Sequence, residues 1–347
     1  MSALARLFGT RLPIVQAPMA GVQAGALAAA ACEAGALGSL PCAMLTVDGM
    51  RTELELIRAR TRAPFNVNFF CHEPPRQDAG RESQWREALA PFYAEHGIDA
   101  AAIPAGPGRA PFTGEAADAL EPFRPAVVSF HFGLPSPELV ARVKGWGSKV
   151  MASATTVEEA RWLEARGVDV VIAQGLEAGG HRGIFLSADL TTQLGTFALL
   201  PQVAKAVRVP VVAAGGIADA AGVRAAMALG ASGVQAGTAF LLCPEATTSA
   251  IHRAALKGEG HTALTNVFTG RPARGIVNRV IREAGPISER APAFPLAGAA
   301  IAPLRAKAEA AGSGDFSPLW SGENRSGCRE VPAVEIVREL ARGLQAP

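Results

Sequence analysis

Tyrosine is almost missing from this chain: Tyr93 is the single one, and aromatic residues together make up 6% of the sequence. That is too few rings for a surface that stacks nucleic-acid bases. Lysine is scarce as well, confined to Lys144, Lys149, Lys205, Lys257 and Lys307. None of them ends a predicted strand, which disfavours a Schiff-base enzyme. Charged residues reach only 18%, against roughly 25% in typical soluble domains. The 33 Lys plus Arg nearly cancel the 31 Asp plus Glu, leaving +2 with no basic stripe. Neither a nucleic acid nor a membrane is therefore expected as a partner. Apolar runs are short: Glu33 stops the alanine-rich stretch from Ala24 to Ala31, and no apolar run of signal-peptide length surrounds Arg6 and Arg11. The cysteines, Cys32, Cys42, Cys71, Cys243 and Cys328, include no C-x-x-C pair. Neither a disulfide frame nor a zinc ribbon is indicated, and a reducing cytoplasm is expected. His72, His96, His252 and His261 show no zinc-ligand spacing with a third partner, so they read as ordinary polar residues and no metal site is expected.

What the chain does have is apolar material, 49% of its 347 residues, and frequent chain-turning residues, 37 Gly and 25 Pro. A closed α/β barrel takes about 250 residues, so one barrel with a smaller second unit fits the length. Short β-branched or apolar runs predict eight strands: 12–17, 35–40, 64–68, 126–130, 149–153, 169–173, 210–214 and 233–237. Amphipathic stretches lie between them. From Thr156 to Arg166, Val157, Ala160, Trp162 and Leu163 share a side while the Glu and Arg residues lie elsewhere; Thr155 or Thr156 should cap this helix and Gly167 should end it. Two intervals exceed the roughly 30 residues of a strand–helix–strand step. One holds residues 71–121, with a helix near 82–95 and the turn-rich stretch 104–114; the other is the loop 174–192. Long loops after barrel strands are where active sites lie.

After the eighth strand, 246–256, 266–283 and 297–311 read as helix without buried strands. The fold expected is an α/β, (β/α)8 TIM barrel with a small helical second domain. The expected division is 1–245 for the barrel with insertion 71–121, 246–311 for a helical substrate-side unit, and 312–347 for a segment whose helix, 332–344, returns to the barrel.

Gly215-Gly216 follows the seventh strand and Gly237-Thr238 the eighth, so both turns open at one end of the barrel. Glycines let backbone N–H groups approach phosphate oxygens without Lys or Arg, although each turn alone also serves as an ordinary tight connection. The same rim carries Pro18-Met19, Asn68, His131 and Gln174. Amides and backbone groups suit an uncharged heterocycle with alternating donors and acceptors, such as a flavin, and each can equally be a satisfied buried amide. The run Gln174-Gly175-Leu176-Glu177-Ala178-Gly179-Gly180-His181-Arg182-Gly183 places one histidine among four glycines. His181 is thus a candidate to donate a hydrogen bond or take a proton beside a ligand. Cys243, with no basic neighbour in sequence, reads as a small apolar residue.

Gln16-Ala17-Pro18-Met19-Ala20, Phe65-Asn66-Val67-Asn68, Glu177-Ala178-Gly179-Gly180-His181, Ala213-Ala214-Gly215-Gly216-Ile217 and Gln235-Ala236-Gly237-Thr238 together resemble nitronate monooxygenases, formerly 2-nitropropane dioxygenases. Ser129-Phe130-His131-Phe132-Gly133, the segment around Lys307, Gly314-Asp315-Phe316 and Leu319-Trp320-Ser321-Gly322 resemble the bacterial class I subgroup. The likeness covers nearly the whole chain, whereas the Glu-Ala-Gly-Gly-His run alone is shared with FMN-dependent enoyl-acyl-carrier-protein reductases.

The resemblance implies a detoxifying flavoprotein that oxidises alkyl nitronates, such as propionate 3-nitronate, with O₂ to a carbonyl compound and nitrite. It implies FMN held by Ala17, Pro18, Met19, Asn68, Gln174, Gly179, Gly180, Gly215, Gly216, Gln235, Ala236, Gly237 and Thr238. It implies His181 as the catalytic residue, with His131 and Lys307 toward the substrate, in a monomer or homodimer. Two other functions compete: an NAD(P)H-dependent FMN reductase of the same fold, acting on an enoyl thioester or a quinone, and a barrel that binds a phosphorylated ligand without redox chemistry.

Overall fold

A computed structural model describes residues 2–76, 78–104 and 109–345; within the turn-rich stretch 104–114, positions 105–108 lie outside the described residues. Its first half runs α1 (Ala3–Phe8), β1 (Ile14–Gln16), α2 (Gly25–Glu33), β2 (Gly38–Pro41), α3 (Val47–Arg60), β3 (Phe65–Phe70), α4 (Ala79–Glu95), α5 (Gly114–Leu120), β4 (Val127–His131), α6 (Pro137–Gly145), β5 (Lys149–Ala154) and α7 (Val157–Ala165). Then follow β6 (Val170–Gln174), β7 (Gly180–His181), α8 (Thr196–Ala206), β8 (Val211–Ala214), α9 (Ala220–Ala228), β9 (Gly233–Ala236), α10 (Ala250–Lys257), β10 (Thr262–Thr265), β11 (Ala273–Ile276), α11 (Arg279–Ala284), α12 (Ala297–Ala310) and α13 (Ala333–Arg342).

Eight parallel strands form one sheet in the order β1-β9-β8-β6-β5-β4-β3-β2. Its two ends meet where Val15 bridges Leu37, and the Leu37 amide donates to the Ile14 carbonyl at 2.8 Å. The barrel is thereby closed, and every predicted strand has a counterpart in it. Local chemistry sets the connections. Thr156 accepts from the Glu159 amide to cap α7, and Gly167, at φ +79°, ends that turn, the left-handed position where glycine carries no Cβ penalty.

Part of the barrel interior is polar. Gln16 Oε1 accepts from the Ser39 amide at 3.0 Å, its Nε2 donates to Gln23 Oε1 at 2.8 Å, and Asn66 Nδ2 reaches both Ser39 Oγ and Ser129 Oγ. These buried amides and hydroxyls bond to one another, as buried polar groups tend to, with Asn66 Oδ1 left without a partner among the described residues.

A second core stands apart from the barrel. Trp85, Leu89 and Phe92, spaced to share one face of α4, pack with Val280, Ile281, Leu304 and Phe316. The insertion therefore joins the later helices. The expectation of helix without strands after β9 is corrected here: β10 and β11 form an antiparallel hairpin, and β11 pairs with β7 so that Ala273 lies opposite His181. The sequence hides this because Ala273-Arg274-Gly275-Ile276 lacks a run of β-branched residues, and its partner is a two-residue strand far away in the chain. Finally, α13 returns to the barrel, burying Ile336, Val337 and Leu340.

Candidate active site

The carboxyl ends of the barrel strands open into one cleft with about 1270 Å³ of empty space including its mouth. Its wall contains Ala17, Pro18, Met19, Asn68, His131, Gln174, Gly179, Gly180, His181, Gly215, Gly216, Gln235, Ala236, Gly237 and Thr238. The sequence-predicted residues thus converge, with one exception. Lys307 sits on α12 with its Nζ donating to the His96 carbonyl at 2.7 Å, exposed and outside the cleft wall. The expectation that it contacts substrate is corrected: α12 turns that side toward α4 and solvent.

One end of the cleft is a backbone cradle. Gly215 and Gly216 both have positive φ, +115° and +72°. At Gly179 a Cβ would come within 2.5 Å of the Gly322 amide, so only glycine lets the tail cross there. The tail completes the cradle: the Gly322 amide donates to Thr238 Oγ1 at 2.9 Å, and Asn324 Nδ2 to the Gly216 carbonyl at 2.9 Å. Glu177 also borders it, and its carboxylate accepts from the Thr196 amide and hydroxyl at the start of α8. Gly322 and Asn324 were not found in the sequence as lining residues, because only packing brings the tail against β8 and β9.

The middle of the cleft carries amides. Gln235 Oε1 is buried without a hydrogen-bond partner among the described residues, an arrangement that costs roughly 1–3 kcal/mol unless a donor arrives. Asn68 Nδ2 donates to the carbonyl and hydroxyl of Ser129. Gln174 Nε2 donates to the His181 carbonyl at 3.0 Å, and its Oε1 accepts from the Gly183 amide at 2.7 Å. The Met19 amide is already spent on Gln23 Oε1 at 3.0 Å.

Histidines and aromatics form the other end. His181 Nε2 meets Thr269 Oγ1 at 2.9 Å, and its ring lies 5.9 Å from Phe70, 5.4 Å from Phe294 and 5.6 Å from Trp320, centroid to centroid. Burial, reinforced by the charge of Arg109 and then by His131, Arg271 and His72, holds its pKa well below the usual imidazole range. The ring is neutral at pH 7. His131 is held at about 3, again chiefly by burial. Its Nε2 donates to the His181 carbonyl at 3.1 Å and its Nδ1 meets Ser153 Oγ at 3.1 Å. Neither nitrogen is left for a substrate, so His131 fixes the His181 main chain instead. Arg182, fully buried, donates to the carbonyls of Gln174 and Gly175 and to Gln193 Oε1, clamping the base of the same loop. Arg109 lines the cleft, lies 5.5 Å from the Phe294 ring centroid, and has no carboxylate partner among the described residues. A cation of this kind favours an anion in the space beside it. Sequence reading missed Arg109 because its neighbours in the chain carry no motif.

A family model described as nitronate monooxygenase matches residues 1–343. The chain belongs to the nitronate monooxygenase family. Named members include a nitronate monooxygenase of Paraburkholderia phytofirmans, 44% identical over 99% of this chain and 95% of the relative. A second, of Pseudomonas aeruginosa, is 43% identical over 98% of both. Among solved structures, the nitroalkane oxidase from Streptomyces ansochromogenes superposes with a TM-score of 0.90 at 42% identity, covering 99% of this chain and 98% of that one. FabK from Thermotoga maritima gives 0.74 at 26% identity over 99% and 96%. As a member of the nitronate monooxygenase family the chain is an oxidoreductase that oxidises nitronates, and the family is one of flavoenzymes. No helix among the described residues is long and apolar enough to cross a membrane.

Proposed function

We propose that the cleft binds FMN without a covalent link and that the enzyme converts small alkyl nitronates and O₂ to a carbonyl compound and nitrite. The observation that carries the cofactor reading is the orphaned Gln235 Oε1 beside a glycine cradle: a ring N–H would satisfy the first and one terminal phosphate the second. Gly179, Gly216, Gly237 and Thr238 would surround ribityl and phosphate, and Asn68, Gln174 and Gln235 the ring. FMN, when bound, supplies the electron acceptor for the nitronate.

The remaining steps belong to side chains. The single proton of the Thr269 hydroxyl has two acceptors in reach, the Arg271 carbonyl at 3.3 Å and His181 Nε2 at 2.9 Å; turned to the nearer one it leaves the proton of the neutral ring on Nδ1, and we assign that N–H to the nitronate anion. Arg109 adds a full positive charge nearby, and the rings of Phe70, Phe294 and Trp320 exclude water, which strengthens both interactions. The cap over the cleft is assigned jointly to 79–95 and 246–311, with 312–345 closing the phosphate end. The five thiols are free, as a reducing cytoplasm would keep them.

The test is the absorbance spectrum of the purified protein, followed by anaerobic mixing. Flavin bands that bleach on ethyl nitronate, and slowly or not at all on NADH or NADPH, support the reading. Rapid bleaching by NADH with no response to nitronates would overturn it in favour of a nicotinamide-dependent reductase, and a colourless protein would favour a non-redox barrel.

A further inference from the structure

Behind the histidine end of the cleft lies a second cavity of about 930 Å³, counting its mouth. Phe268, Leu296, Ile301 and Pro318 make its walls, and Arg109 and Trp320 belong to both cavities. Thr269, whose hydroxyl meets His181 Nε2, also faces it. The partition between the two spaces is therefore built from the groups that surround the reacting end of the substrate. Among the described residues that line it there is no carboxylate. The Arg305 guanidinium at its edge is engaged with Glu309 at 2.7 Å, so at the neck Arg109 is the cation without a carboxylate partner among the described residues.

An anion held at that neck has two directions in which to extend. The flavin end of the cleft is polar backbone and amide; the second cavity is aliphatic and aromatic. An alkyl chain loses least by leaving water for the latter. We propose that the second cavity is a chain subsite: it takes the aliphatic tail of an unbranched nitronate whose anionic head lies between His181 and Arg109, with Trp320 flanking the first methylenes. This rests on the nitronate reading of the cleft and adds to it a preference for chains longer than two carbons.

The test follows O₂ uptake and nitrite release with ethyl, butyl, hexyl and octyl nitronates. The expected result is a kcat/KM that rises roughly fourfold per methylene, mainly through KM, until the cavity is filled. Ala299→Phe narrows the cavity from the side of α12, and Ala302→Phe, at an exposed position that the fold tolerates, narrows its mouth. Each should lower the hexyl-to-ethyl ratio at least tenfold. Independently of turnover, octanoate should change tryptophan fluorescence saturably where acetate does not, and the change should disappear in Trp320→Phe. A level chain-length profile in an enzyme that consumes ethyl nitronate overturns the subsite and leaves the nitronate reading intact, as does an unchanged ratio in both alanine variants. If no nitronate is consumed, the nitronate reading fails. Octanoate then decides the subsite alone, a saturable response lost in Trp320→Phe supporting it and no response overturning it.

Discussion

His181 shows how a common side chain acquires a narrow role. In water an imidazole titrates near ~6.5, but here burial and the neighbouring Arg109, His131 and Arg271 push it well below that value. The ring is neutral everywhere above its lowered pKa, so between pH 6 and 8 its protonation does not change. The kcat/KM for a preformed nitronate should accordingly be level over that range. An inflection near 6.5 in the wild type that vanishes in His181→Asn would show that the ring titrates in the neutral range. His181→Asn should itself lower kcat/KM on the order of 10²-fold, the scale of losing one preorganised donor. It should retain the flavin, because His181 is assigned to substrate and not to cofactor; loss of flavin on gel filtration would move it into the cofactor site.

At the scale of elements, the loop from β6 to α8 does most of the assembly. It begins at Gln174, passes the cradle at Gly179, pairs as β7 with β11, and is anchored by Arg182 and by Glu159, whose carboxylate accepts from the amides of Phe185 and Leu186. Opposite it, the turn after β8 supplies Gly216 at φ +72°. A β-branched residue is strained at that φ, so Gly216→Val should weaken FMN retention, measured as the flavin-to-protein ratio after dialysis. Equal ratios in variant and wild type would remove the cradle from the phosphate. The sequence made the loop's importance legible through its glycines and single histidine. Its pairing with β11 was not legible, since a two-residue strand has no periodicity to read.

The whole molecule joins two cores, and its stability should follow the pH at which buried imidazoles become charged. His131 is held at about 3 and His252 at about 4, both chiefly by burial. An unfolded chain protonates them near ~6.5, so from there down to about pH 4 the unfolded state binds more protons. Stability therefore falls as the pH falls, by up to ~1.4 kcal/mol per pH unit for each ring. The melting temperature should drop steadily below pH 6.5, and His252→Asn should flatten that slope; an identical slope in the variant would assign the loss to other groups. The returning helix α13 tests the barrel core separately. Leu340 is fully buried there, and Leu340→Ala should cost about 2–5 kcal/mol, read as a lower urea midpoint with unchanged flavin binding in the folded protein.

The eight strands, the α7 caps and the glycine turns were determined by the sequence itself, because each depends on features within a few residues: a short apolar or β-branched run, a Thr hydroxyl reaching its own helix, a φ that only glycine adopts freely. Family membership was legible for the same reason, since its motifs are contiguous runs at strand ends. Tertiary structure alone decided the rest. The β10–β11 hairpin, the union of α4 with α12, the position of Arg109 beside His181 and the displacement of Lys307 to the surface all depend on contacts between residues far apart in the chain. Such contacts leave no local pattern, and packing chooses among them by which faces can be buried together.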